Sequence, residues 1–132
     1  MRYLLDTHVL VFWYADAPEL GAAHRAIVTK AEEAGERLGV SAISMWEIAK
    51  LVERERLRIT RPLEDYLVDV EGNEAIEVLP LTARIAVEST RLGLGFPRDP
   101  ADQIIAATAR CHGLVLLTRD DPIRKSGVVA VG

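Results

Sequence analysis

The stretch Arg98-Asp99-Pro100-Ala101-Asp102-Gln103-Ile104-Ile105-Ala106-Ala107-Thr108-Ala109 decides the fold. Asp-Pro is a helix-start signal. Asp99 fits the N-cap, where a carboxylate accepts free amide N–H groups, and Pro100 fits the first helical position, where a missing N–H costs nothing. Asp102 then falls third in the helix, facing its partly positive end. Beyond it, Ile104, Ile105, Ala107 and Thr108 give a compact apolar face with many small side chains. The pattern predicts a helix able to pack very close to a sheet. On either side of it in the sequence, apolar runs end in carboxylates. Tyr3-Leu4-Leu5 stops at Asp6, and Leu114-Val115-Leu116-Leu117-Thr118-Arg119 stops at Asp120. Asp6, Asp102 and Asp120, joined by Glu47, are expected to converge as one acidic metal site.

Working outward, Tyr3 to Leu5 reads as a strand, and Asp6 or Thr7 caps a helix through Val9 to Tyr14. Pro18 suits the first position of a second helix, from Glu19 to about Ala34, with Leu20, Ala23, Ile27 and Ala31 at helical spacing. Leu38 to Ser41 is a second strand, and Ser41 or Ser44 caps a helix carrying Met45 to Leu51. Pro62 opens a helix from Leu63 to about Val70. Ala75 to Leu79 is a third strand, and Thr82 caps a helix through Ile85, Ala86, Val87 and Leu92. Leu114 to Leu117 is a fourth strand, Asp120-Asp121-Pro122 starts a turn or short helix, and Val128 to Val131 is a short fifth strand. The strands are short and continuously apolar, as buried parallel strands are. Strands alternate with helices almost throughout. The expected fold is a three-layer α/β/α sandwich with a central parallel sheet of about five strands, formed as one domain over residues 1–132. Ligands of such sheets bind beyond the carboxyl ends of the strands, where Asp6 and Asp120 stand.

The chain has 132 residues, of which 49 % are apolar, which suits one packed core and excludes a disordered chain. Its formal charge of -4 gives no global basic footprint and weighs against a simple nucleic-acid-coating module. A single cysteine, Cys111, rules out an internal disulfide, suits a reducing cytosol and reads as packing. The apolar run near the N-terminus is broken by Asp6 and His8 and is too short to cross a bilayer, so no membrane role and a cytoplasmic location are expected.

Carboxylates are hard oxygen donors suited to Mg²⁺ or Mn²⁺. Three or four together hold one or two ions and leave positions open for a phosphate and a water. Each acid also has a plainer role: Asp6, Asp99 and Asp120 as helix or turn caps, Asp102 as a dipole partner, and Glu47 as a solvated helix residue. His8, His24 and His112 lack a Ser or Cys partner pattern and read as structural or surface residues.

Leu4-Leu5-Asp6-Thr7-His8, Ser44-Met45-Trp46-Glu47-Ile48-Ala49-Lys50, Asp99-Pro100-Ala101-Asp102-Gln103-Ile104-Ile105 and Leu116-Leu117-Thr118-Arg119-Asp120, in this order, resemble the PIN-domain family. More closely they resemble the VapC toxins of bacterial toxin–antitoxin systems. The resemblance spans essentially the whole chain. It implies an Mg²⁺- or Mn²⁺-dependent endoribonuclease whose four acidic positions fall on Asp6, Glu47, Asp102 and Asp120. By the same resemblance, Asp99 belongs to an Asp-Pro-x-Asp variant of the third motif and supports the site or adds an acid to it. Thr118 matches a hydroxyl position beside the fourth acid, and Thr7 follows the first. Gln103 departs from the pattern, since many relatives of this subtype carry Arg there. The doublet Asp120-Asp121 offers two candidates, of which motif position favours Asp120. The implied partners are an RNA substrate, a small VapB-type antitoxin lying in an exposed apolar groove, and a second copy of the chain.

The stretch from Lys50 to Arg61 is rich in basic side chains and reads either as phosphate contact or as solvated Glu–Arg pairing. Arg119, next to Asp120, is the stronger candidate for RNA contact. Trp13, Tyr14, Trp46 and Phe96 read as core or interface. Two rival readings remain at this level. One is a PIN-like RNA- or protein-binding module without catalysis. The other is a receiver-like protein phosphorylated on Asp6, although the usual acidic pair and late lysine of such proteins are missing.

Overall fold

A computed structural model describes residues 1–132. Four strands, β1 (Tyr3–Leu5), β2 (Leu38–Ser41), β3 (Ile76–Leu79) and β4 (Val115–Leu117), form a wholly parallel sheet in the order β3-β2-β1-β4. Seven helices connect and cover them: α1 (Thr7–Tyr14), α2 (Ala22–Glu33), α3 (Ala42–Glu53), α4 (Leu63–Gly72), α5 (Ala83–Glu88), α6 (Pro100–His112) and α7 (Asp121–Ser126).

Side-chain alternation along the strands divides the interior in two. Leu5, Leu38, Val40, Ile76 and Leu117 face a core completed by Val9 and Leu10 of α1, Val28 of α2, Ile48 of α3 and Val70 of α4. Leu4, Leu79 and Leu116 face the other side, completed by Ile105, Ala106 and Ala109 of α6 and Ile123 of α7. The sheet is thus sandwiched, and the expected three-layer parallel architecture is found. β2 approaches β1 so closely that a Cβ at Gly39 would lie 3.2 Å from the Tyr3 carbonyl oxygen and 3.1 Å from the Met1 sulfur. Only glycine fits there without a shift.

The sheet has four strands where the sequence suggested about five. Val131 makes a single parallel bridge to Leu116, with the Leu116 N–H donating to the Ala130 carbonyl (2.8 Å) and the Gly132 N–H to the Leu116 carbonyl (3.1 Å). Residues 126–129 are still leaving α7 and do not extend the ladder.

The second helix also differs. Pro18–Leu20 forms one tight 3₁₀ turn, Gly21 takes φ = 81°, and the helix restarts at Ala22. That break changes the phase, so α2 buries His24, Val28 and Ala31 and leaves Ala23 exposed. α5 stops at Glu88, short of Leu92, because the Ser89 and Thr90 hydroxyls turn back to the Ala86 and Val87 carbonyls (2.6 and 2.7 Å). No helix is long and apolar enough to cross a membrane.

α6 starts as the sequence implied, with Asp99 as N-cap and Pro100 in its first turn. Residues 105–109 are all buried, since α6 is packed by the sheet on one side and by α3 and α5 on others. Nearly all-round burial explains the run of small residues. Ile104, expected in the buried face, is only partly covered.

Candidate metal centre

Each acidic side chain is positioned by local backbone chemistry. Asp6 follows β1 and prolongs the sheet by one bond, its N–H donating to the Leu117 carbonyl (3.0 Å). It caps α1: Oδ1 accepts from the Thr7 N–H (2.7 Å), and Oδ2 accepts from the Thr118 hydroxyl (2.6 Å). Asp120 caps α7, its Oδ1 accepting from the Ile123 N–H (3.0 Å), and its own N–H donates to Thr118 Oγ1 (3.1 Å). Thr118, fully buried, therefore ties the acids at the ends of β1 and β4 together. Thr7 and Ser44, both fully buried, share a hydroxyl hydrogen bond (2.9 Å) that joins α1 to α3 one turn before Glu47.

Asp99 has two roles at once. Its Oδ1 accepts from the Asp102 N–H (3.1 Å) as the cap of α6. Carboxylate oxygens of Glu47, Asp99 and Asp102 also lie within 4.8 Å of one another. Asp6 and Asp120 line the same open cleft, about 470 Å³ in volume. The structure thus brings together Asp6, Glu47, Asp102 and Asp120, with Asp99 among the acids rather than behind them. Of the doublet, Asp120 lines this cleft and Asp121 does not. Thr7 and Thr118 stand behind the acids as hydroxyl partners.

The electrostatics follow from crowding. Burial pushes the Asp6 carboxyl up from its ordinary value, against the hydrogen bonds from Thr118 and Thr7 that favour its charged form. Glu47 is likewise raised, first by burial and then by the charges of Asp6 and Asp99, against the Thr7 hydroxyl. Asp102 is raised from 3.8 to about 7, by burial first and then by Asp6, Asp99, Glu47 and Asp120. Such a set of hard oxygen donors, mutually repelling and short of countercharge, fits a divalent cation. Arg119 is the one basic residue lining the cleft with a permanent charge, and none of the chain's ion pairs involves it.

Sequence reasoning missed Glu19, His8 and Phe12, which also line the cleft. Glu19 arrives through the 3₁₀ turn, so the Pro18 and Gly21 that bracket it were the available signal. The basic stretch from Lys50 lies elsewhere. Lys50 pairs with Glu53 (3.1 Å) and Arg61 with Asp69, as solvated pairing predicts.

Thr118→Val tests the tie between strands. It keeps the shape and removes one donor to Asp6 and one acceptor for the Asp120 N–H. A hydrogen bond to a charged group contributes roughly 1.5–3 kcal/mol. The expected result is a urea midpoint lowered by a corresponding amount, with Mn²⁺ affinity reduced about tenfold, as for supporting partners of metal ligands.

A parallel sheet with acids gathered past its strand ends defines a class, and comparison with known proteins gives the class its name. The PIN domain model matches residues 3–127, and the chain belongs to the PIN-domain family. It is 36 % identical over 121 residues to Ribonuclease VapC22 of Mycobacterium tuberculosis, covering 92 % of this chain and 88 % of that protein. The same fold occurs in VapBC2 from Rickettsia felis bound to a promoter DNA fragment, with a TM-score of 0.73 at 14 % identity over 100 % of this chain and 98 % of that one. It occurs again in DNA-bound VapBC from Salmonella typhimurium, with a TM-score of 0.70 at 23 % identity over 100 % and 97 %.

Proposed function

We propose that the protein cuts RNA phosphodiester bonds with Mg²⁺ or Mn²⁺ held by its acidic cleft. The observation that carries this reading is the gathering of Glu47, Asp99 and Asp102 oxygens within 4.8 Å, beside Asp6 and Asp120, with Asp102 raised to about 7. Asp6, Glu47, Asp102 and Asp120 are the residues assigned to hold metal and perform catalysis, and Asp99 joins them through the oxygen cluster. A bound divalent ion supplies an activated water and neutralises charge on the phosphoryl oxygens. The protein's part is placement. Thr118 fixes the Asp6 carboxylate, the Asp99 carboxylate fixes the first turn of α6 and so Asp102, and the Thr7–Ser44 bond fixes α3 and so Glu47. Arg119, unpaired at the cleft wall, faces incoming phosphate.

A VapB-type antitoxin is the proposed protein partner, as in the VapBC complexes whose fold this chain shares. Support comes from a groove of about 450 Å³ lined mainly by apolar residues, among them Val11, Tyr14, Leu57, Ile59 and Tyr66. Phe12 and Glu19 line both this groove and the acidic cleft, so a chain lying in one reaches the mouth of the other. Homodimerisation is the remaining family expectation, and light scattering of the purified chain tests it.

The deciding experiment incubates partner-free protein with a total cellular RNA pool, with Mg²⁺ or Mn²⁺, with EDTA, and as Asp6→Asn. Cleavage lost in EDTA and in the variant is expected. Wild-type cleavage by Asp6→Asn removes the site assignment, and folded protein that binds no divalent ion removes the metal reading.

A further inference from the structure

A second cavity, about 370 Å³, opens between the start of α2 and the segment joining β4 to α7, and it shares Arg119 with the acidic cleft. Arg119, Arg124 and His24 line it, together with Asp121 and Gly132, the last residue of the chain. Three observations indicate that this cavity is built for an anion.

The first is the start of α2. Gly21 is its N-cap, no side chain caps it, and its first turn holds no acid. In place of the usual oxygen stands a guanidinium, because a Cβ at Gly21 would lie only 3.6 Å from Nη1 of Arg119. The amide end of a helix and an arginine are both positive. They repel unless an anion comes between them.

The second is Arg124. Its Nη1 donates to the Thr118 carbonyl (3.0 Å) and to the Gly132 carbonyl (2.9 Å), which holds the guanidinium in place before any ligand arrives.

The third is His24, which is only 7 % exposed. Its Nε2 is bonded to the Gly132 carbonyl (2.8 Å), and a carbonyl can only accept, so Nε2 carries the proton. Nδ1 makes no hydrogen bond within the protein and is not sealed off, and His24 lines the cavity.

We infer that this cavity is a phosphate subsite, holding a backbone phosphodiester of the RNA strand to one side of the cleavage point, with Arg119 as the bridge to the acidic cleft. The inference rests on the ribonuclease reading for its ligand. It also answers a difficulty of that reading, because a cleft lined by six carboxylates repels a polyanion and needs a nearby hold on the strand.

Ala23→Glu separates binding from folding. Ala23 is exposed, lines the cavity and is second in α2. A carboxylate there suits the helix dipole, so the melting temperature should hold or rise. The same carboxylate competes with phosphate for the cavity. The probe is a short mixed-sequence RNA carrying fluorescein, titrated in EDTA so that no metal is needed and nothing is cut. Expected for Ala23→Glu and for Arg119→Gln is binding about tenfold weaker, with the slope of log affinity against log salt smaller by about 0.7, the value of one single-strand phosphate contact. With Mn²⁺ added, the loss for Ala23→Glu on the same RNA should fall in KM. Wild-type affinity and slope in both variants, with RNA still cut, would overturn the subsite and leave the nuclease standing. RNA that both variants bind more weakly, and that no metal allows the wild type to cut, would sustain the subsite and remove the nuclease.

Discussion

Asp102→Asn lowers metal-dependent RNA cleavage by about a thousandfold, the scale of losing one preorganised electrostatic group at a reacting centre. The same substitution stabilises the metal-free fold at neutral pH. The Asp102 carboxyl sits at about 7 in the folded protein against 3.8 ordinarily. Between about pH 4 and pH 7 the folded state therefore binds more protons than the unfolded one, and its stability falls as pH rises through that window. The full shift corresponds to roughly 4 kcal/mol, and solvent access to a partly exposed group reduces it to about 2 kcal/mol. Asp6 and Glu47, also raised, act in the same direction. Thermal melts of wild type in EDTA should show a midpoint higher at pH 5 than at pH 8, and Asp102→Asn should flatten that difference. Mn²⁺ should reverse the trend, because cation and proton compete for the same oxygens. A variant that loses cleavage without flattening the pH profile would mean that Asp102 acts on the reaction but is not raised by its neighbours.

Ala106→Leu carries the largest expected cost to the fold. Ala106 is fully buried in the core with Leu4, Ile105, Ala109 and Leu116. It lies four residues after Asp102 and so on the same face of α6, one turn along. Added methylenes in a packed core usually cost about 1–3 kcal/mol, and the all-round burial of residues 105–109 places this substitution at the top of that range. Lifting α6 from the sheet also carries Asp102 away from Asp6. Urea denaturation should show the lower stability, and Mn²⁺ titration at a concentration where the variant is still folded should show affinity reduced about tenfold. Unchanged metal affinity would mean that the first turn of α6 is set by Asp99 and its surroundings alone.

The contrast between these residues shows what the sequence makes legible. α6 could be read because its start is local chemistry: a capping aspartate, a proline with no N–H to satisfy, and small residues at helical spacing. Asp6 and Asp120 were placed by a rule about parallel sheets, since both end apolar runs. The break at Gly21 was not legible in the same way, because a glycine inside an otherwise helical pattern is tolerated, and only the packing of Pro18–Leu20 against α1 decides its conformation. Glu19 entered the cleft through that break, so it was missed with it. The second face of Asp99 was left open between a supporting acid and an added one, for another reason. Its capping bond is local, whereas its approach to Glu47 depends on α3 meeting α6, two elements some fifty residues apart in the sequence. The fifth strand failed on length, since an apolar run shows what is buried but not how many residues will pair.

The arrangement of the sheet also bears on how the protein is born. β1 is synthesised first and ends up between β2 and β4, and the Asp6 carboxylate waits for a hydroxyl that is 112 residues away. A growing chain that has exposed Asp6 and Glu47 carries two acids and no cleft, because α6 and β4 are still to come. Ribosomes add about 5–20 residues each second, and domains fold as units. A half-made chain therefore has acids without a cleft, and a fragment that lacks Thr118 lacks the hydroxyl that fixes Asp6. The cleft closes only once α6 and β4 have been made, so the four acids meet late in synthesis.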